Sequence, residues 1–348
     1  MLSTQEIILN KIPVTIIAGF LGAGKTTLLN RILNENHGLR IAVLVNDFGD
    51  VSIDSQLITN IEGETISLAN GCICCTIRED MVDAIMQLTE GEVPPEYIVT
   101  ETSGVSDPES AAKALVISTK TASKISLNCI TTVVDAEQVL QLEGVNEKLA
   151  VDQIEAADIV VINKADLVDK EQIAEVRSWI HNISQQARII EASYGEVPME
   201  LIFGVEEYAH NSLNETDPPR KHDHSNHANH SDTFSSYTWI ENQALSFQAI
   251  YQAFKTLPLS VFRAKGILHL RDVDDKRVIL QMVGKRVSLN KGETWGDTIP
   301  GSQIVVIGPR GVVHEQELND LFTSCIASDD VTEENRLVEA VVAFLRRP

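Results

Sequence analysis

The stretch Gly19-Phe20-Leu21-Gly22-Ala23-Gly24-Lys25-Thr26-Thr27 constrains this chain more than any other, and it follows the β-branched apolar run Val14-Thr15-Ile16-Ile17-Ala18. The spacing is G-x-x-x-x-G-K-[ST], and Leu28, Leu29, Ile32 and Leu33 continue it at helical spacing. A buried strand, a glycine-rich loop and a helix N-terminus in that order form an anion cradle. Glycines let the backbone approach the anion closely, its N–H groups point inward, and the helix terminus adds partial positive charge. Gly22, Ala23, Gly24 and Thr27 are then cradle residues, Lys25 reaches the β- and γ-phosphates, and the Thr26 hydroxyl is a Mg²⁺ ligand. The sequence thus predicts a nucleoside triphosphate site.

The rest of the first two hundred residues suits that beginning. Strands are expected at 14–18, 41–46, 97–101, 127–134, 159–162 and 188–191, with helical stretches such as 80–88 and 171–180 between them. Near-continuous apolar strands alternating with helices predict an α/β domain with a mostly parallel sheet covered on both faces. Ligands in such sheets lie at the carboxyl ends of the strands. The domain is expected over 1–208, a flexible polar linker with Pro218-Pro219 and clustered histidines over 209–232, and a smaller α+β domain over 233–348. In that last part strands are expected at 233–240, 261–270, 277–283 and 304–307, helices at 246–255 and 315–326, and a terminal docking helix at 333–346.

Lys and Arg total 28 against 50 Asp and Glu, a formal charge of −22. That field repels polyanions, so neither nucleic acid nor an anionic membrane is expected as a partner. The apolar runs are too short to span a bilayer and the first residues show no secretory signal, so a cytoplasmic protein is expected.

Ile159-Val160-Val161-Ile162 leads into Asn163-Lys164-Ala165-Asp166, an N-K-x-D tetrapeptide. Asp166 can accept from guanine N1–H and the exocyclic amine, Asn163 can donate toward N7, and the Lys164 stem lies along the base. Adenine lacks that amine, so GTP is the expected nucleotide, with an ATP-dependent kinase or ligase as the rival. Val45-Asn46-Asp47-Phe48-Gly49-Asp50 and Glu101-Thr102-Ser103-Gly104 each follow a strand. Glu101, Asp47 and Asp50 are candidates for the metal shell, and Gly104 offers an N–H to the γ-phosphate.

Cys72, Cys74 and Cys75 fall within four positions, in Asn70-Gly71-Cys72-Ile73-Cys74-Cys75. C-x-C-C is not the spacing of a zinc finger or ribbon, and five cysteines in all argue against a disulfide framework. Two or three thiolates with an incomplete shell suit a metal that is handed on: Zn²⁺ first, with Co²⁺ or Ni²⁺ as alternatives. Buried structural cysteines or a redox pair remain the plain alternatives. Cys129 and Cys325 read as core residues, one in a strand and one in a helix. His222, His224, His227 and His230 form a candidate low-affinity metal tract, against the alternative of incidental histidines in a solvated linker.

Together these residues resemble the CobW-type family of metallochaperone GTPases, relatives of the hydrogenase and urease nickel-insertion GTPases. The resemblance rests on residues 19–27, Asn46-Asp47-Phe48-Gly49, the C-x-C-C segment, Glu101-Thr102-Ser103-Gly104, Asn163-Lys164-Ala165-Asp166 and Phe262-Arg263-Ala264-Lys265-Gly266. It implies a GTPase with slow intrinsic turnover that binds a transition metal at Cys72, Cys74 and Cys75 when GTP orders the neighbouring segments. It further implies delivery of that metal to a client metalloprotein; as no obvious general base stands in the motifs, turnover is expected to be helped by a client or by a homodimer. Asp47 departs from the family's commoner Glu in N-E-F-G, and its shorter reach weakens a direct ligand role. The histidine linker tilts the reading toward zinc. Two alternatives stay open: a metal buffer or sensor in which GTP is only a switch, and a cobalt or nickel insertion GTPase.

Overall fold

A computed structural model describes residues 11–34, 39–46, 65–68, 76–91, 93–118, 120–203, 234–273, 275–312 and 314–327. The chain divides into two compact units, Met1–Phe203 and Gly204–Pro348. Asp47, Asp50, Cys72, Cys74, Cys75, the histidines 222, 224, 227 and 230, and the expected helix at 333–346 lie outside the described residues.

The first unit runs β1 (Ile12–Gly19), α1 (Lys25–Asn34), β2 (Ile41–Asn46), β3 (Thr65–Leu68), α2 (Thr76–Glu90), β4 (Tyr97–Glu101) and α3 (Pro108–Ile117). It continues with β5 (Ile125–Asp135), α4 (Val145–Ala156), β6 (Ile159–Asn163), α5 (Lys170–Ile183), β7 (Arg188–Glu191) and a single turn, α6 (Met199–Ile202). The strands form one seven-stranded sheet in the order β3-β2-β4-β1-β5-β6-β7. Every pairing in it is parallel. Residues 14–19 of β1 and all of β6 are buried on both alternating sides, which requires cover on both faces of the sheet.

On one face α2, α3, α4 and α5 lie side by side. Val14, Ile16, Ile98 and Ile130 meet Met81, Ile85 and Leu115 there. Further along, Val160 and Ile162 meet Ile154, Val176 and Ile180. Burying each such side chain contributes on the order of 1.5–3 kcal/mol. Two helices start at aspartate caps: Asp107 accepts from Glu109 N at 2.9 Å, and Asp169 accepts from Gln172 N at 2.8 Å. On the other face, reached by Thr15 and Tyr97 through alternation and by Asn128 at an irregularity in the β1–β5 register, a buried polar network pins α6. Tyr97 Oη bonds Thr15 Oγ1 at 2.7 Å and donates to Ile202 O at 3.0 Å, while Asn128 Nδ2 also donates to Ile202 O, at 3.1 Å.

The second unit runs β8 (Phe234–Glu241), α7 (Phe247–Lys255), β9 (Arg263–Leu268), β10 (Lys276–Val283), β11 (Arg286–Thr294), β12 (Ser302–Pro309) and α8 (Glu315–Thr323). Its sheet, ordered β11-β10-β9-β12-β8, is antiparallel throughout. Val278, Leu280, Met282, Ile304 and Val306 pack under Ile250, Phe254, Leu318 and Phe322 of the two helices. The alternation along β10 and β12 is that of a sheet with one packed face. The α/β-plus-α+β organisation read from the sequence is therefore the one observed.

Three local expectations change. The strands β3 and β11 form where the sequence pattern predicts none. The helix expected over 315–326 ends at Thr323, because the following residues pair with another segment: Ser246 N donates to Cys325 O at 2.9 Å, and Ile326 bridges Leu245. Cys325 accordingly lies just past the helix, although it is buried as a core residue, as is Cys129 in β5.

Candidate functional site

Strand register sets the site. In the parallel sheet Ile17 stands opposite Glu101, Gly19 opposite Val133, and Asp135 opposite Asn163, so four neighbouring strands deliver their last residues to one edge. The 20–24 loop leaves β1 there and turns into α1.

The loop's glycines are there for stated reasons. Gly22 and Gly24 have φ of +76° and +103°, in the left-handed half of conformational space that side chains disfavour. A β-carbon on Gly24 would also lie 2.2 Å from Asn163 Nδ2. Lys25 is buried, and its Nζ donates to Phe20 O at 3.2 Å, inside the loop. Thr26 Oγ1 donates to Glu101 Oε1 at 3.0 Å and to Oε2 at 3.3 Å, and Glu101 is only 2% exposed. A hydroxyl and a carboxylate side by side are hard oxygen donors, the set that suits Mg²⁺. Gly104 completes this end: a β-carbon there would stand 2.8 Å from Leu21 N, so the loop after β4 packs directly on the phosphate loop. Ala23 is buried beneath it and Thr27 faces outward at the start of α1.

The N-K-x-D segment is joined to the same loop. Asn163 is buried at 2% exposure, its Nδ2 donates to Ala23 O at 2.9 Å, and its Oδ1 accepts from Gly195 N at 2.9 Å. The N-K-x-D pattern assigns Asn163 to the base; in the fold its amide braces the phosphate loop against the turn after β7. Lys164 adopts the left-handed conformation at φ 60°, ψ 32°, and its Nζ meets Asp135 Oδ2 at 2.6 Å. Asp166 is exposed at the rim of this edge, in the short turn Ala165–Leu167.

Two participants escaped the sequence reading. Asp135 ends β5; besides holding Lys164 it accepts from Glu137 N at 2.9 Å, and Ala136 N donates to Asn163 O at 3.0 Å. Gly195 (φ +68°) supplies the N–H that fixes Asn163, and a β-carbon there would approach Leu28 Cα to 2.9 Å. The one signal was position, since both follow apolar strands of the sheet. Among the described residues no group of three or more His, Cys, Asp or Glu side chains gathers as a metal site, and no helix is long and apolar enough to cross a membrane. Neither statement reaches the cysteine or histidine candidates, which lie outside those residues.

Two family models match this chain. The CobW/HypB/UreG nucleotide-binding domain matches residues 13–191, and the cobalamin synthesis protein CobW C-terminal domain matches residues 234–326. The zinc chaperone CobW of Sinorhizobium sp is 31% identical over 341 residues, covering 86% of this chain and 93% of that protein. The zinc chaperone YjiA of Escherichia coli is 30% identical over 323 residues, covering 90% and 98%. The zinc-regulated GTPase metalloprotein activator 1 of Dictyostelium discoideum is 35% identical over 228 residues, covering 55% of this chain and 48% of that one.

Proposed function

This chain belongs to the CobW/HypB/UreG family, with the CobW C-terminal domain attached, and on that footing we propose that it is a GTP-hydrolysing metallochaperone that carries Zn²⁺ to a client metalloprotein. The observation that best supports a guanine nucleotide is the Asn163 amide, which bonds the phosphate loop at Ala23 and the turn at Gly195. It makes one site of a phosphate cradle and an N-K-x-D reader. Zinc as cargo is supported by the relatives named for zinc handling and by the C-x-C-C segment between β3 and α2.

In this reading the N–H groups of residues 22–27 and Lys25 hold the β- and γ-phosphates, and Asp166, Asn163 and Lys164 hold the guanine. Thr26 and Glu101 hold Mg²⁺, which offsets the charge developing on the phosphates. Gly104 donates its N–H to the γ-phosphate, while Asp47 and Asp50 lie on the companion segment after β2. None of these groups is a strong general base, so the attacking water is oriented rather than deprotonated, and turnover is slow without a partner. Departure of the γ-phosphate removes the contact at Gly104 and relaxes the two segments that flank Cys72, Cys74 and Cys75 in the chain. The thiolates then release their zinc to the client.

The test is zinc affinity with a non-hydrolysable GTP analogue and with GDP, in the intact chain and with serine at the three cysteines. The proposal expects strong nucleotide dependence that the serine variant loses. A zinc affinity indifferent to nucleotide, and lost on deleting residues 222–230, overturns it in favour of a metal buffer.

A further inference from the structure

Gln153 lies on α4 and is 1% exposed. Its Nε2 donates to Gly104 O and to Ser106 O, each at 3.2 Å, across 49 and 47 positions of sequence. Its own main-chain carbonyl accepts from Thr132 Oγ1 of β5 at 2.8 Å, which fixes the helix to the sheet at this point. One side chain therefore ties the loop after β4 to a rigid support, while Gly104 packs closely on Leu21 of the phosphate loop.

The accounting of polar groups at this junction is unusual. Among the described residues, Gln153 Oε1 and Ser103 Oγ are both buried without a hydrogen-bond partner. A side chain placed only to satisfy itself would not leave its acceptor bare in an apolar setting. The arrangement spends both donor bonds on main-chain carbonyls of a short loop, and so defines where that backbone sits.

We infer that Gln153 is a positioning residue for γ-phosphate recognition: it holds residues 104–106 against the phosphate loop so that the Gly104 N–H is in place before nucleotide arrives. This rests on the reading of Gly104 given under Proposed function. Preorganisation lowers the ordering cost of binding only for a ligand that uses the loop. GTP carries the γ-phosphate that Gly104 meets, and GDP does not. A residue that merely braced the fold would affect the two nucleotides alike.

The experiment measures affinities for Mg²⁺·GDP and for a Mg²⁺·non-hydrolysable GTP analogue in the full chain and in Q153M and Q153E. Losing two hydrogen bonds to the loop should weaken the GTP analogue by roughly 5- to 50-fold. GDP affinity should stay within about twofold, which also reports that the variants are folded. Equal losses for both nucleotides, or no loss, overturn the inference. Hydrogen exchange of the 102–107 amides gives an independent reading in nucleotide-free protein: faster exchange in Q153M is expected, and unchanged exchange overturns the tether. If the native chain itself binds GDP and the analogue equally, the role given to Gly104 fails, and the exchange measurement still decides whether Gln153 holds the loop.

Discussion

Thr26 Oγ1 donates to both carboxylate oxygens of Glu101, at 3.0 and 3.3 Å, across the junction between the phosphate loop and β4. The pair brings together two oxygen donors from segments 75 positions apart. If they share a Mg²⁺ ion, T26A and E101Q each lower Mg²⁺ affinity in the nucleotide complex by about 10- to 100-fold. Titrating Mg²⁺ against GTP turnover checks this. Unchanged Mg²⁺ dependence in both variants removes the pair from the metal site.

Asp166 stands exposed at the rim beside the braced Asn163. Asp166→Asn exchanges an acceptor for a group that also donates, which suits xanthine better than guanine. GTP affinity is expected to fall on the order of 100-fold while xanthosine triphosphate gains. Competition among GTP, ITP, XTP and ATP reads the outcome, and an unaltered preference for GTP sinks the assignment.

The Lys164–Asp135 contact joins a nearly buried carboxylate to a cation 29% exposed. Lys164→Met leaves Asp135 with its bond from Glu137 N but without its counter-charge. A loss of about 1–2 kcal/mol in urea unfolding is expected, discounted from a fully buried pair because the ammonium reaches solvent. A double-mutant cycle with Asp135→Asn should return a coupling above about 0.5 kcal/mol. Additive effects would mean that the contact contributes nothing.

Burial pushes the Cys325 thiol up to about 11, while Ser324 pulls slightly the other way. The folded protein therefore keeps this proton while the unfolded chain loses it near the ordinary thiol value. Stability is unaffected by Cys325 below about pH 8 and falls as pH rises through 9 toward 11. In native protein at pH 8, iodoacetamide should leave Cys325 unmodified, because only about one thiol in a thousand is ionised at three units below its pKa. Labelling at the rate of a free thiol would contradict both the burial and the shift.

The phosphate loop, the N-K-x-D segment and most strands were legible in the sequence because each is a contiguous run whose chemistry is local. Gln153 with Gly104, and Lys164 with Asp135, were not. Those pairs exist only because the sheet order sets β4, β1, β5 and β6 side by side, and no local pattern announces that order. The bond from Asn163 to the phosphate loop was hidden for the same reason, since Ala23 lies 140 positions away. β3 is four residues with polar Thr65 and Ser67, and β11 carries Arg286, Asn290, Lys291 and Gly292. Among the described residues both lie at the ends of their sheets, where a strand has less need of an apolar run.

Because the Asn163 amide occupies the space that a β-carbon on residue 24 would need, and also bonds Ala23 and Gly195, the two segments that the proposed function assigns to the two ends of the nucleotide share a hinge pin. Slackening one end slackens the other. Dissociation of GDP should then follow a single exponential, with no interval in which the phosphates are free and the base still held. On that reading a substitution at Asn163 should loosen the hold on base and phosphates together, in GDP as in GTP.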